Sequence, residues 1–326
     1  MEFSSLRAWH RPLVVFAGAM AVWAAGSAVG LVLDDRMLVG MPIWAKPFKF
    51  AVSFVGYALS LAWMISLLER ARPRLRRPAR WAGTVVVVTS VVEMVLITGQ
   101  VIRGRQIHFN RSTPFDSQVY DVMAGTVVVL WTATLVIAVL LFRAPLADRA
   151  TTWAIRISAV LALVGAGLGY LMTQATPEQR AAGDDAAPLV GAHSVGVPDG
   201  GPGMPLTGWS TTGGDLRIPH FVGMHALQLL PLFVLVLAAL GTRYARLREE
   251  RVRLRVTLVA GGVYAAVLAL LTWQALRGQP LTSPDATTLG AGAAVLAAGG
   301  LGVLLALRPG RRPALVGTAG SWWSER

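Results

Sequence analysis

The sequence predicts an all-α polytopic integral membrane protein, a bundle of about eight transmembrane helices with both termini in the cytoplasm. Of its 326 residues, 54% are hydrophobic, and the mean hydropathy is +0.56. A helix needs about 20 apolar residues to cross a bilayer. Backbone inside hydrocarbon must satisfy its own hydrogen bonds, and the apolar runs do not alternate as strands would, so each run is predicted to be a helix. The eight runs lie at 13–33, 48–68, 82–102, 119–142, 157–175, 219–241, 257–276 and 287–307.

Arginine is concentrated in alternate connections, with six residues in 69–80 and six in 243–255. If the N-terminus is inside, 21 of the 30 Lys and Arg residues lie on the cytoplasmic side. This positive-inside asymmetry predicts a multi-pass protein of the cell inner membrane with both termini cytoplasmic. The net charge of +13 then reflects topology. We expect the Arg loops to contact anionic lipid, and we expect no nucleic-acid role because no binding fold accompanies the charge.

The chain has no cysteine, which excludes disulfides, thiolate metal sites, iron–sulfur clusters and covalently attached c-type haem. Arg7 and Arg11 precede the first apolar run as they would in a signal peptide. That run is longer than the usual hydrophobic region of a signal peptide, so an uncleaved first helix is predicted.

One connection, 176–218, is far longer than the others in what is otherwise a single membrane domain spanning 1–326. Its first part, TPEQRAAGDDAAP, is predicted to be mobile. Its second part is punctuated by Gly and Pro and carries Val195 and Trp209 as anchors. Long connections in compact proteins are usually functional or disordered. We therefore predict that residues 191–217 cap the outer mouth of the bundle.

Four of the five histidines fall at the outer side in this topology, namely His108, His193, His220 and His225. Such a set predicts ligands for Zn²⁺, Cu²⁺ or non-haem iron, or a pair of axial ligands for haem. The alternative is that each imidazole separately hydrogen-bonds loop backbone. His220 and His225 are about 140° apart around their helix, so one is predicted to face the pocket while the other meets the loop.

Two further features reach into the membrane. Glu93 lies near the middle of the third run, where an ionisable group is costly unless it faces the bundle or a wet cavity. The second run places polar residues on one helical face, which predicts an inward stripe, either an anion site or a Lys49–Glu93 pair. Snorkelling to the lipid surface is the alternative. This stripe consists of Lys46, Lys49, Ser53, Tyr57 and Ser60, and its two lysines are the only ones in the chain.

The outer segments and the helices beneath them supply the remaining candidate binding residues. Gln100 follows Glu93 on roughly the same face, and the other candidates come from the connections and from the sixth run. The complete set of predicted cofactor- or ligand-binding residues is Lys49, Glu93, Gln100, Arg105, Asn110, Asp215, Arg217 and Gln228.

Three motifs resemble those of an uncharacterised family of bacterial multi-span membrane proteins. They are WAKPFKFAVS in the second run, RGRQIHFN with TPFD after the third, and HSVGVPDGGPGMP with GDLRIPHFVGMHALQ before the sixth. The resemblance covers about 34–231 and implies a bacterial inner-membrane protein. It implies no reaction and no catalytic residue.

The leading functional hypothesis from the sequence is an outward-facing polar pocket of His, Asp and Arg that binds a metal ion or haem and serves membrane redox chemistry. A second hypothesis is a transporter of a small ion or organic solute that uses Glu93 and the Lys49 stripe. A third is a non-catalytic membrane assembly subunit whose outer loop is a partner surface.

Overall fold

The computed structural model describes residues 8–182 and 188–308, and this part of the chain is mostly helical. Arg7 and the basic residues after Arg308, which entered the charge count, lie outside it. In chain order the helices are α1 (Arg11–Leu33), α2 (Ala45–Ala71), α3 (Arg76–Ile102), α4 (Pro114–Phe142), α5 (Arg149–Met172), α6 (Pro177–Ala182), α7 (Arg217–Leu240), α8 (Ala245–Arg248), α9 (Glu250–Leu276) and α10 (Ala286–Ala306).

Eight helices in the described ranges are long and apolar enough to cross a membrane, and each coincides with one predicted run. Most begin several residues before the apolar run does, and three of them have a polar side-chain cap at the N-terminus. Thr113, Asp148 and Asp285 each accept a hydrogen bond from a backbone N–H in the first turn of α4, α5 and α10. Such caps satisfy amide groups that have no partner within the helix.

The long helices form two groups. Helices α1 to α4 pack mainly on one another, as do α5, α7 and α9, with α10 against α9. The closest approach in the second group is between Gly165 of α5 and Gly223 of α7, where a Cβ on Gly165 would lie 2.4 Å from the Gly223 Cα. Small residues permit this close packing of membrane helices. The two groups meet through α4 with α5 and through α2 with α7.

Because successive long helices run in opposite directions, the connections collect at two ends. In the described ranges, the long-loop end comprises residues 34–44, 103–113, 173–182, 188–216 and 277–285. It holds an antiparallel hairpin of β1 (Met37–Leu38) and β2 (Met41–Pro42), and β3 (Ser194–Val195) paired antiparallel with β4 (Gly214–Asp215). The opposite, arginine-rich end comprises 72–75, 143–148 and 241–249.

The long connection begins with a short helix. Helix α6 lies within the segment that was predicted to be mobile, and only residues 183–187 of that segment fall outside the described chain. Gln179 of α6 accepts a hydrogen bond from the Gly191 N–H (2.9 Å) and donates one to the Gly191 carbonyl (3.0 Å). These two bonds tie α6 to the second part of the connection.

Candidate functional site

A cavity of about 600 Å³ lies between the two helix groups beneath the long-loop end. Its walls come from α2, α3, α4, α5 and α7, and residues 38–43 and 199–210 cover it at the long-loop end. Most of the wall is apolar or aromatic, with the cationic groups close to the covering loops and a separate set of polar groups deeper in. The main apolar and aromatic lining residues are Phe50, Phe54, Leu130, Trp131, Leu163, Phe221 and Met224.

Three cationic side chains reach the cavity near the end that the loops cover, which we call its outer end. Two of them are hydrogen-bonded to the covering loop. Lys49 Nζ donates a hydrogen bond to the Thr207 carbonyl at 2.7 Å. Arg217 Nη2 donates one to the Gly208 carbonyl, also at 2.7 Å. Both acceptors are neutral, so these contacts orient the two cations without adding a counter-charge.

Asp215 positions Arg217. The carboxylate is 1% exposed and accepts hydrogen bonds from Arg217 Nε (2.9 Å) and Nη2 (2.5 Å). The Ser210 N–H donates to the same carboxylate at 2.8 Å. Arg217 lines the cavity and Asp215 does not. The predicted binding residue Asp215 therefore acts through its neighbour.

Lys46 is the third cation, and it makes no hydrogen bond or ion pair with any residue in the described ranges. It lies one turn before Lys49 on the cavity wall. It is close enough to Arg217 and Lys49 to be repelled by them, and close enough to Asp199 and Glu93 to be attracted. The outer end of the cavity thus has an excess of positive charge.

His193 and Asp199 form a pair on the cavity wall. His193 Nδ1 lies 2.7 Å from Asp199 Oδ2, and the backbone amides of His193 and Ser194 also donate to this carboxylate. Burial alone would raise the pKa of Asp199, but these hydrogen bonds hold it below its ordinary value. Burial lowers the pKa of His193 and outweighs the opposing effect of the Asp199 bond. A neutral His193 donates from Nδ1, which leaves Nε2 as an acceptor.

His108 lies beside this pair, with its ring centroid 6.3 Å from that of His193 and 6.2 Å from that of Phe50. Burial, followed by the positive charge of Lys46, lowers the pKa of His108 well below its ordinary value. His108 is therefore a neutral imidazole at physiological pH.

His220 and His225 both line the cavity, which corrects the prediction that only one would. His220 lies 2.7 Å, through Nδ1, from the Gly165 carbonyl of α5, and so meets a helix instead of the loop. His225 points the other way, toward Ser53 of α2 at 3.4 Å, with its ring against Phe221. The 140° between them is accommodated because one ring faces α5 and the other faces α2, and both of these helices contribute to the cavity wall.

The four predicted metal ligands do not assemble into a metal site. Among the described residues, no three or more His, Asp or Glu side chains are grouped closely enough to hold a metal ion. The physical reason is that each imidazole has a different neighbour. His193 is engaged by Asp199, His220 by Gly165, and His225 by Phe221 and Ser53.

The inner end of the cavity is polar. Glu93, 4% exposed, accepts a short hydrogen bond from Thr126 Oγ1 of α4, and Tyr57 shares a short hydrogen bond with Thr134. The predicted Lys49–Glu93 pair is wrong, because Lys49 is bound to Thr207 instead. Four members of the predicted polar stripe, Lys46, Lys49, Ser53 and Tyr57, line the cavity, but Ser60 does not.

Besides Asp215, three predicted binding residues lie outside the cavity lining. Gln100 donates to the buried carboxylate of Asp116 at 3.1 Å, and Arg103 donates to the same oxygen at 2.8 Å. Asn110 is buried and accepts hydrogen bonds from the amide and hydroxyl of Ser112, which folds the 103–113 connection. Arg105 is exposed at the surface of that connection. Gln228, in contrast, lines the cavity as predicted.

Several groups that form the cavity were not among the predicted binding residues. Lys46 was seen as part of the stripe, but its lack of a partner depends on packing. The carbonyls of Thr207 and Gly208 carry no sequence signal, because any residue supplies one. Trp131 and Leu163 look like ordinary lipid-facing residues in the sequence.

Fold and site together define a class of protein, in which membrane-length helices enclose a cavity that is cationic at one end, polar at the other and apolar between them. No protein-family model, curated protein or solved structure matches the chain.

Proposed function

We propose that this protein binds an amphipathic anion from the outer side of the bacterial inner membrane, with the anionic group at Lys46 and the apolar body along the cavity. The single observation that carries the proposal is the Lys46 ammonium, which faces the cavity without a hydrogen bond or ion pair to the described residues.

A cation held away from bulk water without a partner is costly. An anionic group between Lys46, Lys49 and Arg217 removes that cost. Two unit charges about 4 Å apart attract by about 4 kcal/mol at the effective dielectric of a partly buried site. Lys49 and Arg217 already point at the covering loop, so they are placed to bind the same group.

The apolar wall argues for a ligand with a hydrophobic body. A bare inorganic anion would use only the outer end, and the surface beyond it is built from rings such as Phe54 and Trp131. Ligand pockets are typically apolar with a few well-placed polar groups that orient the ligand.

The charge asymmetry supports the orientation. With the arginine-rich end in the cytoplasm, the long-loop end and the mouth of the cavity face outward, and both termini are cytoplasmic. The arginine-rich end then meets the anionic lipid of the inner leaflet. The bilayer is thus the partner we propose, and nucleic acid is not.

Transport of the bound anion is the second candidate function. It is favoured by Glu93, a carboxylate on the cavity wall nine residues before the end of α3. Ionisable groups at membrane depth commonly mark solute or proton pathways. A partner-binding role for the outer loop has no comparable observation in its favour.

The experiment uses the full chain in neutral phosphatidylcholine nanodiscs, titrated with dodecyl phosphate and followed by tryptophan fluorescence, since Trp131 and Trp209 line the cavity. We expect saturable binding that Lys46→Gln weakens by at least about tenfold. The matched control is Arg70→Gln, a charge removal in the same helix at the arginine-rich end, which should leave binding unchanged.

Two further ligands and a spectrum complete the test. Dodecyl maltoside and inorganic phosphate should each bind much more weakly than dodecyl phosphate. Equal binding of dodecyl maltoside, or an unchanged affinity in Lys46→Gln, would overturn the proposal. A Soret band in the purified protein would identify the amphipathic anion as haem and support the metal-centred hypothesis.

A further inference from the structure

We infer that the inner end of the cavity is a second subsite that recognises a hydrogen-bond donor, a hydroxyl or an ammonium group, at the far end of the ligand. This inner subsite consists of Ser53, Tyr57, Glu93, His225 and Gln228. The inference rests on the proposed function, because it concerns the other end of the same bound molecule.

The inner subsite is polar where a plain alkyl chain would end. At 1.5 Å per residue, Gln228 lies roughly 17 Å along α7 from Arg217 at its start. Tyr57 lies a similar distance along α2 from Lys46. A methyl-terminated chain would offer no hydrogen bond to Glu93 or Gln228, and leaving their buried oxygen atoms with unfilled hydrogen-bonding capacity is unfavourable.

The hydroxyl groups of the inner subsite already have partners. Tyr57 shares its hydrogen bond with Thr134, and Ser53 lies 3.4 Å from His225 Nε2. They have limited capacity to bind a further group.

The acceptors of the inner subsite are in excess. Gln228 Oε1 is buried and accepts no hydrogen bond of normal geometry from the described residues, and its nearest side-chain donor is His225, one turn earlier on α7. Glu93 accepts one hydrogen bond, from Thr126, and no second donor in the described chain reaches it. Unfilled acceptors select a ligand group that carries a proton on oxygen or nitrogen.

The two ends of the cavity therefore have opposite chemistry. The outer end presents donors and positive charge from Lys46, Lys49 and Arg217, whereas the inner end presents the acceptors of Glu93 and Gln228. The complementary ligand has an anionic group at one end, an apolar middle and a donor group at the other end.

The test compares three series of alkyl phosphates that end in a methyl, a hydroxyl or an ammonium group, with chains of about four to twelve carbons to bracket the depth of the cavity. Binding is measured with the full chain in the same nanodiscs. At the matching chain length, we expect the hydroxyl or ammonium form to bind about tenfold more tightly than the methyl form.

Variants assign the preference to residues. Gln228→Leu should reverse the preference for the hydroxyl form, and Glu93→Gln should remove the preference for ammonium while keeping that for hydroxyl. Gln174→Leu changes an exposed glutamine outside the cavity and should alter neither. Thermal unfolding of each variant checks that it is folded, and Glu93→Gln is nearly isosteric.

The outcomes separate this inference from the proposed function. If the methyl-terminated phosphates bind as tightly as the others at every length, the inner subsite is wrong and the anion site stands. If the hydroxyl preference persists in Gln228→Leu and the ammonium preference persists in Glu93→Gln, the inner subsite is likewise wrong. If no alkyl phosphate of any series binds, both proposals fail.

Discussion

Asp215 holds the guanidinium of Arg217 at the cavity wall through two hydrogen bonds, with Nε at 2.9 Å from Oδ1 and Nη2 at 2.5 Å from Oδ2. The same carboxylate accepts the amide of Ser210, and the same guanidinium donates to the carbonyl of Gly208. One ion pair therefore joins β4, the covering loop and the start of α7. This makes the geometry of the outer end depend on a residue that does not line the cavity.

The first prediction concerns this ion pair. Asp215→Asn keeps the shape of the side chain and removes the counter-charge of Arg217. Because removing one partner of a buried ion pair leaves the other uncompensated, we expect a loss of about 3 kcal/mol in the free energy of unfolding. Equilibrium unfolding in mixed micelles with increasing SDS measures this value.

The matched control is Asp121→Asn, which breaks the exposed ion pair with Arg111. It should cost less than about 1 kcal/mol, because solvent screens exposed pairs. Equal losses in the two variants would contradict a special role for Asp215.

The second prediction concerns the crossing of α5 and α7. Gly165→Ala places a methyl group against the Gly223 backbone, and the overpacking should destabilise the protein by about 1–3 kcal/mol. His220 should also be disturbed, since its ring is anchored on the Gly165 carbonyl. Thermal unfolding measures the effect.

Gly167→Ala is the control on the same helix. A Cβ at this position would meet nothing within 4 Å, and alanine is a better helix former than glycine. We expect unchanged or slightly increased stability. Comparable destabilisation by both substitutions would show that the close crossing at Gly165 does not set the result.

The third prediction concerns pH. Burial lowers the pKa of His108 and of His193 in the folded protein below the ordinary value of 6.5, so the unfolded state binds more protons than the folded state as the pH falls through that value. Stability should therefore decrease from about pH 7.5 to about pH 5. Asp199 does not contribute in this window, because its pKa lies below the ordinary value of 3.8.

Melting temperatures across this pH range, for the wild type and for His108→Gln, provide the measurement. His108→Gln should make the melting temperature less dependent on pH, because it removes one of the imidazoles that must stay neutral in the folded protein. A pH profile identical to that of the wild type would show that His108 is not buried as described.

The fourth prediction tests the orientation of the protein in the membrane. Because the chain has no native cysteine, a maleimide would react only with an introduced one. Leu206, 88% exposed, lies in the covering loop at the long-loop end, and Tyr244, 59% exposed, lies at the arginine-rich end. A membrane-impermeant maleimide added to intact spheroplasts should label Leu206→Cys at once. It should label Tyr244→Cys only after the membrane is opened, and the reverse pattern would invert the topology.

Helical spacing predicted some residues of the site and not others. The inward face of α2 followed from helical spacing alone, and Lys46, Lys49, Ser53 and Tyr57 do line one cavity. Gln100 lies on roughly the same face of α3 as Glu93, yet it donates a hydrogen bond to Asp116 at the start of α4. Spacing assigns residues to a face of a helix, but the neighbour opposite that face depends on how the helices pack.

The histidines make the same point for chemistry. Their clustering in the sequence suggested common metal ligands. In the described structure His220 turns to α5 and His225 to α2, because α7 packs on α5 within its own group and meets α2 of the other group. Proximity along the chain did not translate into convergence in space.

The sequence by itself determined the eight membrane-length helices of the described chain. The length of an apolar run and the need to close backbone hydrogen bonds are local constraints. Only the tertiary structure decided which polar groups share the cavity. That outcome depends on long-range contacts, such as Gly165 against Gly223 and Lys49 against the Thr207 carbonyl, which no local pattern specifies. The same packing leaves Lys46 without a partner among the described residues, and this is the feature on which the proposed function depends.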